Sequence, residues 1–339
     1  MHRTYRTMRE RYIDIVKGFA ILCIVLLHFI NGIFPMEFHT FVGSFMITSF
    51  YVCSGWLSAQ KPNTASLREF SKKRFKQIGI PYFYWSVIIL LFDCILWAIG
   101  YYDSSYISKE VYKTIVLRGC GTLWFLPAMF FGGIIWHYLR NKNRYHIIVF
   151  LIVTIVYRVI YDYIFTNPTT ALENTQIIQI INAPLRVILN ILEAGVGIAF
   201  GYFAFKLSQS IFDRRKLLFL LSVLLLLTAF YFANFYPLKI QFVWHYLAPL
   251  IGPLGWIYFY KSLQNLSIWN YFVFWGKNSL CLMVTHYSIT LVVLKYILME
   301  FSHIPLEGWI SFVAFFISLP IQHVMLILID KYAPKTLGK

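Results

Sequence analysis

The sequence predicts an all-α, polytopic transmembrane helix bundle of about ten spans with both termini cytoplasmic, and three observations carry that reading. The 339 residues are 59% hydrophobic and only 13% charged, with a mean hydropathy of +0.65. A soluble core of this size needs far less apolar surface. The apolar residues fall in runs of about twenty, the length at which a helix crosses hydrocarbon. The basic residues gather on alternate loops, as the positive-inside rule requires.

Requiring about twenty mostly apolar residues per span places the spans near 12–33, 41–59, 80–99, 122–139, 146–165, 186–205, 216–235, 241–260, 274–297 and 308–329. The first follows a basic N-terminus. It runs past twenty residues with no small-residue cleavage site, so it reads as a retained span rather than a signal peptide. The fourth contains Pro127 and the eighth Pro249 and Pro253, which neighbouring helices tolerate in a bilayer. No soluble domain, low-complexity tract or internal repeat is visible, so residues 1–339 read as one integral membrane domain.

Charge sets the orientation. The termini and even-numbered loops hold 21 of the 30 Lys and Arg residues, whereas the odd-numbered loops hold only Lys109, Lys113, Arg118 and Lys239. Both termini therefore face the cytoplasm, and an even number of spans follows. The net charge of +16 suggests nucleic acid at first. Its position in short loops between apolar spans points to membrane topology instead, and no nucleic-acid partner is expected. Five cysteines (Cys23, Cys53, Cys94, Cys120 and Cys281) show neither metal spacing nor a paired framework, so no metal site is expected.

With orientation set, each polar residue acquires a depth. His28, Asp93, Arg158, Asp162, Glu193 and His245 fall in the outer half, Lys17 and Lys277 near the cytoplasmic face, and His286 near mid-depth. Lys17 and His28 are eleven residues apart, which on a helix returns to within about 20° of the same face and about 16 Å further along. Ionisable groups at such depths are costly and are functional candidates by default. Plainer roles stand beside several of them. Arg158 and Asp162 can neutralise one another at four-residue spacing, and Lys277 can snorkel to headgroups. The run Lys72-Lys73-Arg74-Phe75-Lys76 can act as a topogenic charge alone. Ser54-Gly55 can serve close helix packing rather than nucleophilic attack.

Asp14-Ile15-Val16-Lys17-Gly18, with His28 eleven residues after the lysine, resembles the opening helix of the acyltransferase-3 family. Ser49-Phe50-Tyr51-Val52-Cys53-Ser54-Gly55-Trp56-Leu57 is similar to its second-helix signature. Lys73-Arg74-Phe75-Lys76-Gln77-Ile78-Gly79-Ile80-Pro81-Tyr82 is similar to its basic segment running into a proline–aromatic third helix. Leu123-Trp124-Phe125-Leu126-Pro127 and Asn278-Ser279 with Thr285-His286-Tyr287 resemble later marks in the same order. The likeness is greatest to the short group that includes fucose 4-O-acetylase-like and capsule or exopolysaccharide acyltransferases. Where the family usually has arginine, this chain has Lys17, Lys73 and Lys76, which keep the charge but lose the bidentate fork.

The resemblance implies a membrane O-acyltransferase, in a multi-pass cell membrane setting of bacterial type, that moves an acyl group from cytoplasmic acyl-CoA to a glycan or lipid-linked sugar. Acetyl is the expected group, acetyl-CoA the co-substrate, and no bound cofactor is expected. On that basis Lys73, Arg74 and Lys76 are expected to hold the donor phosphates. His28 is expected to act as general base or as an acyl carrier, with Lys17, Glu193 and His286 as further catalytic candidates. Asp93 and Trp124 are expected to meet the acceptor, although Trp124 also reads as an interfacial aromatic. A flippase for a lipid-linked sugar shares the basic architecture. It would commonly show inverted repeats and paired broken helices, and the sequence shows neither.

Overall fold

The computed structural model describes residues 10–30, 32–62, 64–165, 176–235 and 246–339. Its principal helices are α1 (Arg11–Phe29), α2 (Met36–Ala59), α3 (Leu67–Ala98), α4 (Ser104–Ile115), α5 (Gly121–Leu139) and α6 (Arg144–Phe165). They continue as α7 (Gln176–Ser208), α8 (Arg215–Asn234), α9 (Ala248–Leu263), α10 (Asn270–Lys277), α11 (Ser279–Phe301) and α12 (Gly308–Tyr332). No strand occurs among the described residues.

Nine helices among the described residues are long and apolar enough to cross a membrane. The remaining expected span, 241–260, is met by the 16 residues of α9, and its first five residues lie outside the described residues, as does His245. Two boundaries differ from expectation. The third span begins earlier and takes in the basic segment as one helix from Leu67, because the Ser66–Glu69 capping box starts it there. The ninth is preceded by the separate short helix α10.

Helix α1 is buried along most of its length, whereas α6, α8 and α12 leave long apolar faces uncovered by protein. Val149, Ile152, Val153 and Val156 on α6, and Leu220, Leu224 and Leu227 on α8, are exposed in this way. In water such faces would be a liability, but against acyl chains they cost nothing. The central contacts rely on glycine. A Cβ added at Gly18 would lie 1.8 Å from the Phe272 carbonyl oxygen, and one added at Gly55 would lie 1.8 Å from that of Ile198. Only bare backbone allows α1 to meet α10, and α2 to meet α7, so closely. The packing reading of Gly55 agrees with this contact.

Side-chain bonds mark the two faces of the bundle. At one face the Trp56 indole donates to Tyr12 Oη at 2.9 Å, and Arg140 donates to the Ser58 carbonyl at 3.1 Å. The C-terminal turn packs beside Gln77 at that face. At the other face Thr48 donates to the Pro249 carbonyl and Thr122 to that of Met283, both at 2.6 Å.

Helix α4 does not sit as a simple outer loop. It folds back alongside α3, so that Tyr82 Oη donates to the Thr114 carbonyl at 3.0 Å. The chain then turns sharply through three left-handed residues, Leu117, Gly119 and Gly121. Gly121 must be glycine on two counts. Its φ is +52°, and a Cβ there would meet Ser288 Oγ at 2.4 Å.

Candidate active site

His28 lies in the last turn of α1, half-buried, at the wall of a cavity of about 600 Å³. Asp93 of α3, Trp124 at the start of α5, and Glu110 and Lys113 of α4 line the same cavity. His28 Nδ1 is 2.7 Å from the Ile24 carbonyl oxygen. A carbonyl can only accept, so Nδ1 carries the hydrogen. In the neutral ring Nε2 then keeps its lone pair, with no hydrogen-bond partner for it among the described residues. This is the tautomer a base needs.

His286 is fully buried and meets the His28 ring edge to face, with centroids 5.1 Å apart. Its own Nδ1 donates to the Leu282 carbonyl at 2.6 Å. The residues from His286 to Leu291 form a π-helical turn, a local irregularity frequent at functional sites. Gln322 of α12 fastens this turn by bonding Thr285 on one side and Thr290 on the other. Tyr287 brings its ring to 4.8 Å from that of His28 and also lines the cavity.

Asp93 is 2% exposed, so its carboxyl faces the cavity rather than lipid or bulk water. Tyr102 and Tyr106 stack with ring centroids 4.0 Å apart beside it. Both lie outside the spanning helices. Burial pushes the Tyr102 phenol up to about 12, and burial followed by the Glu110 charge pushes Tyr106 higher still. Both stay protonated and able to donate.

Glu193 lies in a second, smaller cavity of about 260 Å³ that shares Ile47 and Trp124 with the first. It accepts a bond from Arg158 Nη1 at 2.6 Å, while Arg158 Nε donates to Asp162 at 2.7 Å. The two-residue neutralisation expected for Arg158 and Asp162 is thus a three-residue network. Lys17 lines neither cavity; its charge acts on the buried Cys53 of α2.

At the opposite face Lys72, Lys73 and Lys76 line an open cavity of about 880 Å³. Arg74 does not join them. Its guanidinium turns into the bundle over Gly133 of α5 and bonds the Met129 carbonyl at 3.4 Å. Adjacent positions on a helix point about 100° apart, so a run of four cations cannot share one face.

The structure therefore brings His28, His286, Asp93 and Trp124 together and keeps Lys73 and Lys76 at the far face. The sequence reading missed Tyr102, Tyr106, Glu110 and Lys113. The signal was the polar and aromatic density of residues 101–118 in an otherwise apolar chain. No group of three or more metal-ligating side chains occurs among the described residues, and all five cysteines are free.

A polytopic helical bundle with nine apolar helices long enough to span among the described residues defines a multi-pass membrane protein. Residues 10–321 match the family model described as an acyltransferase domain, and the chain belongs to this acyltransferase-3 family. It is a membrane acyltransferase. No curated protein and no solved structure matches it.

Proposed function

We propose that the protein transfers an acyl group, acetyl as the expected case, from cytoplasmic acyl-CoA to a hydroxyl of a cell-surface or lipid-linked glycan, with His28 as general base. The observation that carries this reading is the His28 tautomer within a polar cavity. An imidazole whose Nδ1 is committed to the Ile24 carbonyl presents a basic Nε2 to whatever occupies that space. A sugar hydroxyl is a poor nucleophile at neutral pH and needs such a base.

In this reading the lysines at the opposite face attract the donor phosphates as point charges. The extended pantetheine arm spans the distance from there to His28. Asp93, Tyr102 and Tyr106 orient the sugar by hydrogen bonds and ring contact. His286 braces the His28 ring, and Glu193 with Arg158 holds the wall behind Trp124. Both termini then lie in the cytoplasm of a bacterial-type cell membrane, and residues 1–339 act as one domain.

The test uses purified protein in lipid nanodiscs with radiolabelled acetyl-CoA and a lipid-linked sugar. Label should move to the sugar. Translocation of the sugar without transfer of label would identify a flippase and sink the proposal.

A further inference from the structure

Of the arginines that line the two cavities, two join none of the ion pairs described so far. Arg118 follows α4 and lines the His28 cavity, with its guanidinium 5.6 Å from the centre of the Trp124 ring. Arg186 of α7 lines the second cavity and lies 5.5 Å from the Tyr161 ring centre. Both are half-buried. Among the described residues neither has a carboxylate within ion-pair distance. Trp124 borders both cavities, so the cavities that the two cations line share a wall.

Their surroundings do not neutralise them. Glu193 and Asp162 are bonded to Arg158, and Glu110 to Lys113. Glu193 acts on Arg186 and Glu110 on Arg118 only from a distance. The positive charge of Arg186 acts against that of Arg118 directly. The two cavities that share Trp124 are thus lined by five cations, Lys113, Arg118, Arg158, Arg186 and Lys295, and three carboxylates, Asp93, Glu110 and Glu193. Desolvated like charges held together are costly, and a bound anion relieves both the repulsion and the unfilled donors.

We infer that Arg118 and Arg186 form an anion site at the Trp124 wall that takes a phosphate or carboxylate carried by the acceptor sugar. The guanidinium fork suits either group, each of which offers paired oxygens. The site opens into the cavities rather than onto a lipid-facing helix surface. This favours an anion on the acceptor over a phospholipid headgroup. The inference rests on reading the His28 cavity as the acceptor chamber, and it narrows the acceptor to an acidic or phosphorylated sugar.

The test is equilibrium binding to the full-length protein in phosphatidylcholine nanodiscs, with glucose 1-phosphate, glucuronic acid and neutral methyl glucoside as probes. The two anionic sugars should bind about tenfold tighter than the neutral one, and the difference should shrink as salt rises. Arg118→Gln/Arg186→Gln should erase the preference and leave methyl glucoside binding unchanged, whereas Arg118→Lys/Arg186→Lys should keep part of it. If the double glutamine variant fails to insert, Arg186→Ala alone should lose most of the salt-dependent part. A wild type without preference, or a variant that retains it in full, would overturn the inference. Glycerol 1-phosphate binding as tightly as glucose 1-phosphate would assign the arginines to a lipid headgroup and overturn it too. Absence of acyl transfer to every sugar, with the binding preference intact, would instead defeat the enzymatic reading and leave the anion site standing.

Discussion

His28 and His286 meet edge to face, with ring centroids 5.1 Å apart and ring planes at 64°. Each donates Nδ1–H to the carbonyl four residues earlier in its own helix, Ile24 in one case and Leu282 in the other. The two therefore share a tautomer but not an environment. His28 borders the cavity, while His286 is fully buried and its Nε2 has no partner among the described residues. On the proposed reading, that difference separates the ring that exchanges a proton with a substrate from the ring that holds its neighbour.

The lysine-lined cavity gives the first prediction. On the proposed reading Lys72, Lys73 and Lys76 act on the donor as exposed point charges. Changing all three to glutamine should raise the donor KM about tenfold with little change in kcat. The effect should weaken as salt rises. Arg74→Gln should behave differently, lowering the thermal stability of detergent-extracted protein, because its guanidinium packs inside the bundle against α5. Steady-state kinetics beside a melting curve separates the two. An unchanged donor KM in the triple variant would leave those lysines a topogenic role only.

Asp93 gives the second. A carboxylate this buried at the cavity wall is placed to accept from a sugar hydroxyl, and a hydrogen bond to a charged group contributes about 1.5–3 kcal/mol. Asp93→Asn should lower kcat/KM for the acceptor about tenfold or more and leave the donor KM unchanged. Competition assays with acceptor analogues report the difference. A donor-side effect alone would remove Asp93 from the acceptor chamber.

Much of this arrangement is legible in the sequence, for identifiable reasons. Span positions follow from apolar runs. The helical period puts Lys17 and His28 near one face, yet only His28 lines the cavity. Residues that depend on irregular backbone are not legible. The π turn begins at His286 and shifts the facing of every later residue in its helix, Tyr287 and Ser288 of the cavity wall among them. Glu110, Lys113 and Arg118 reach the cavity only because α4 folds back along α3, where hydropathy shows just a polar loop. Arg74 reads as one of four equivalent cations, and only the packing of α5 separates it from Lys73 and Lys76. Glu193 reads as an isolated carboxylate because its partner Arg158 belongs to another helix.

The glycine crossings give the third prediction. Gly18→Ala would place a methyl group 1.8 Å from the Phe272 carbonyl oxygen, and that backbone atom cannot rotate away. Helices α1 and α10 must separate, at a cost of about 1–3 kcal/mol for overpacking. The variant should insert but melt several degrees lower, and His28 should lose its register with His286, so transfer falls as well. Gly43→Ala is the control, since a Cβ there meets nothing within 4 Å. Equal stability of the two variants would contradict the close crossing.

The last prediction concerns His28 itself. Its removal should abolish transfer without unfolding the protein, because the half-buried ring makes one side-chain hydrogen bond and lines an open cavity. General-base catalysis contributes a factor of about 10² to 10⁴, so His28→Ala should fall at least a hundredfold in kcat while extracting as a monodisperse species. His28→Gln keeps similar volume but lacks the base, and it should be nearly as inactive. Donor KM should stay close to wild type in both, since the proposed donor site lies at the opposite face. Acidification of the wild type should mimic the substitution progressively, because a proton on Nε2 removes the lone pair that accepts from the sugar hydroxyl. His286→Gln should cost less, about tenfold, by loosening the His28 ring rather than removing the base. A covalent route makes a separate forecast: label from acyl-CoA would remain on wild-type protein when acceptor is withheld and vanish in His28→Ala. Wild-type rates in His28→Ala would end the mechanism in either form, and His286 would become the base to examine.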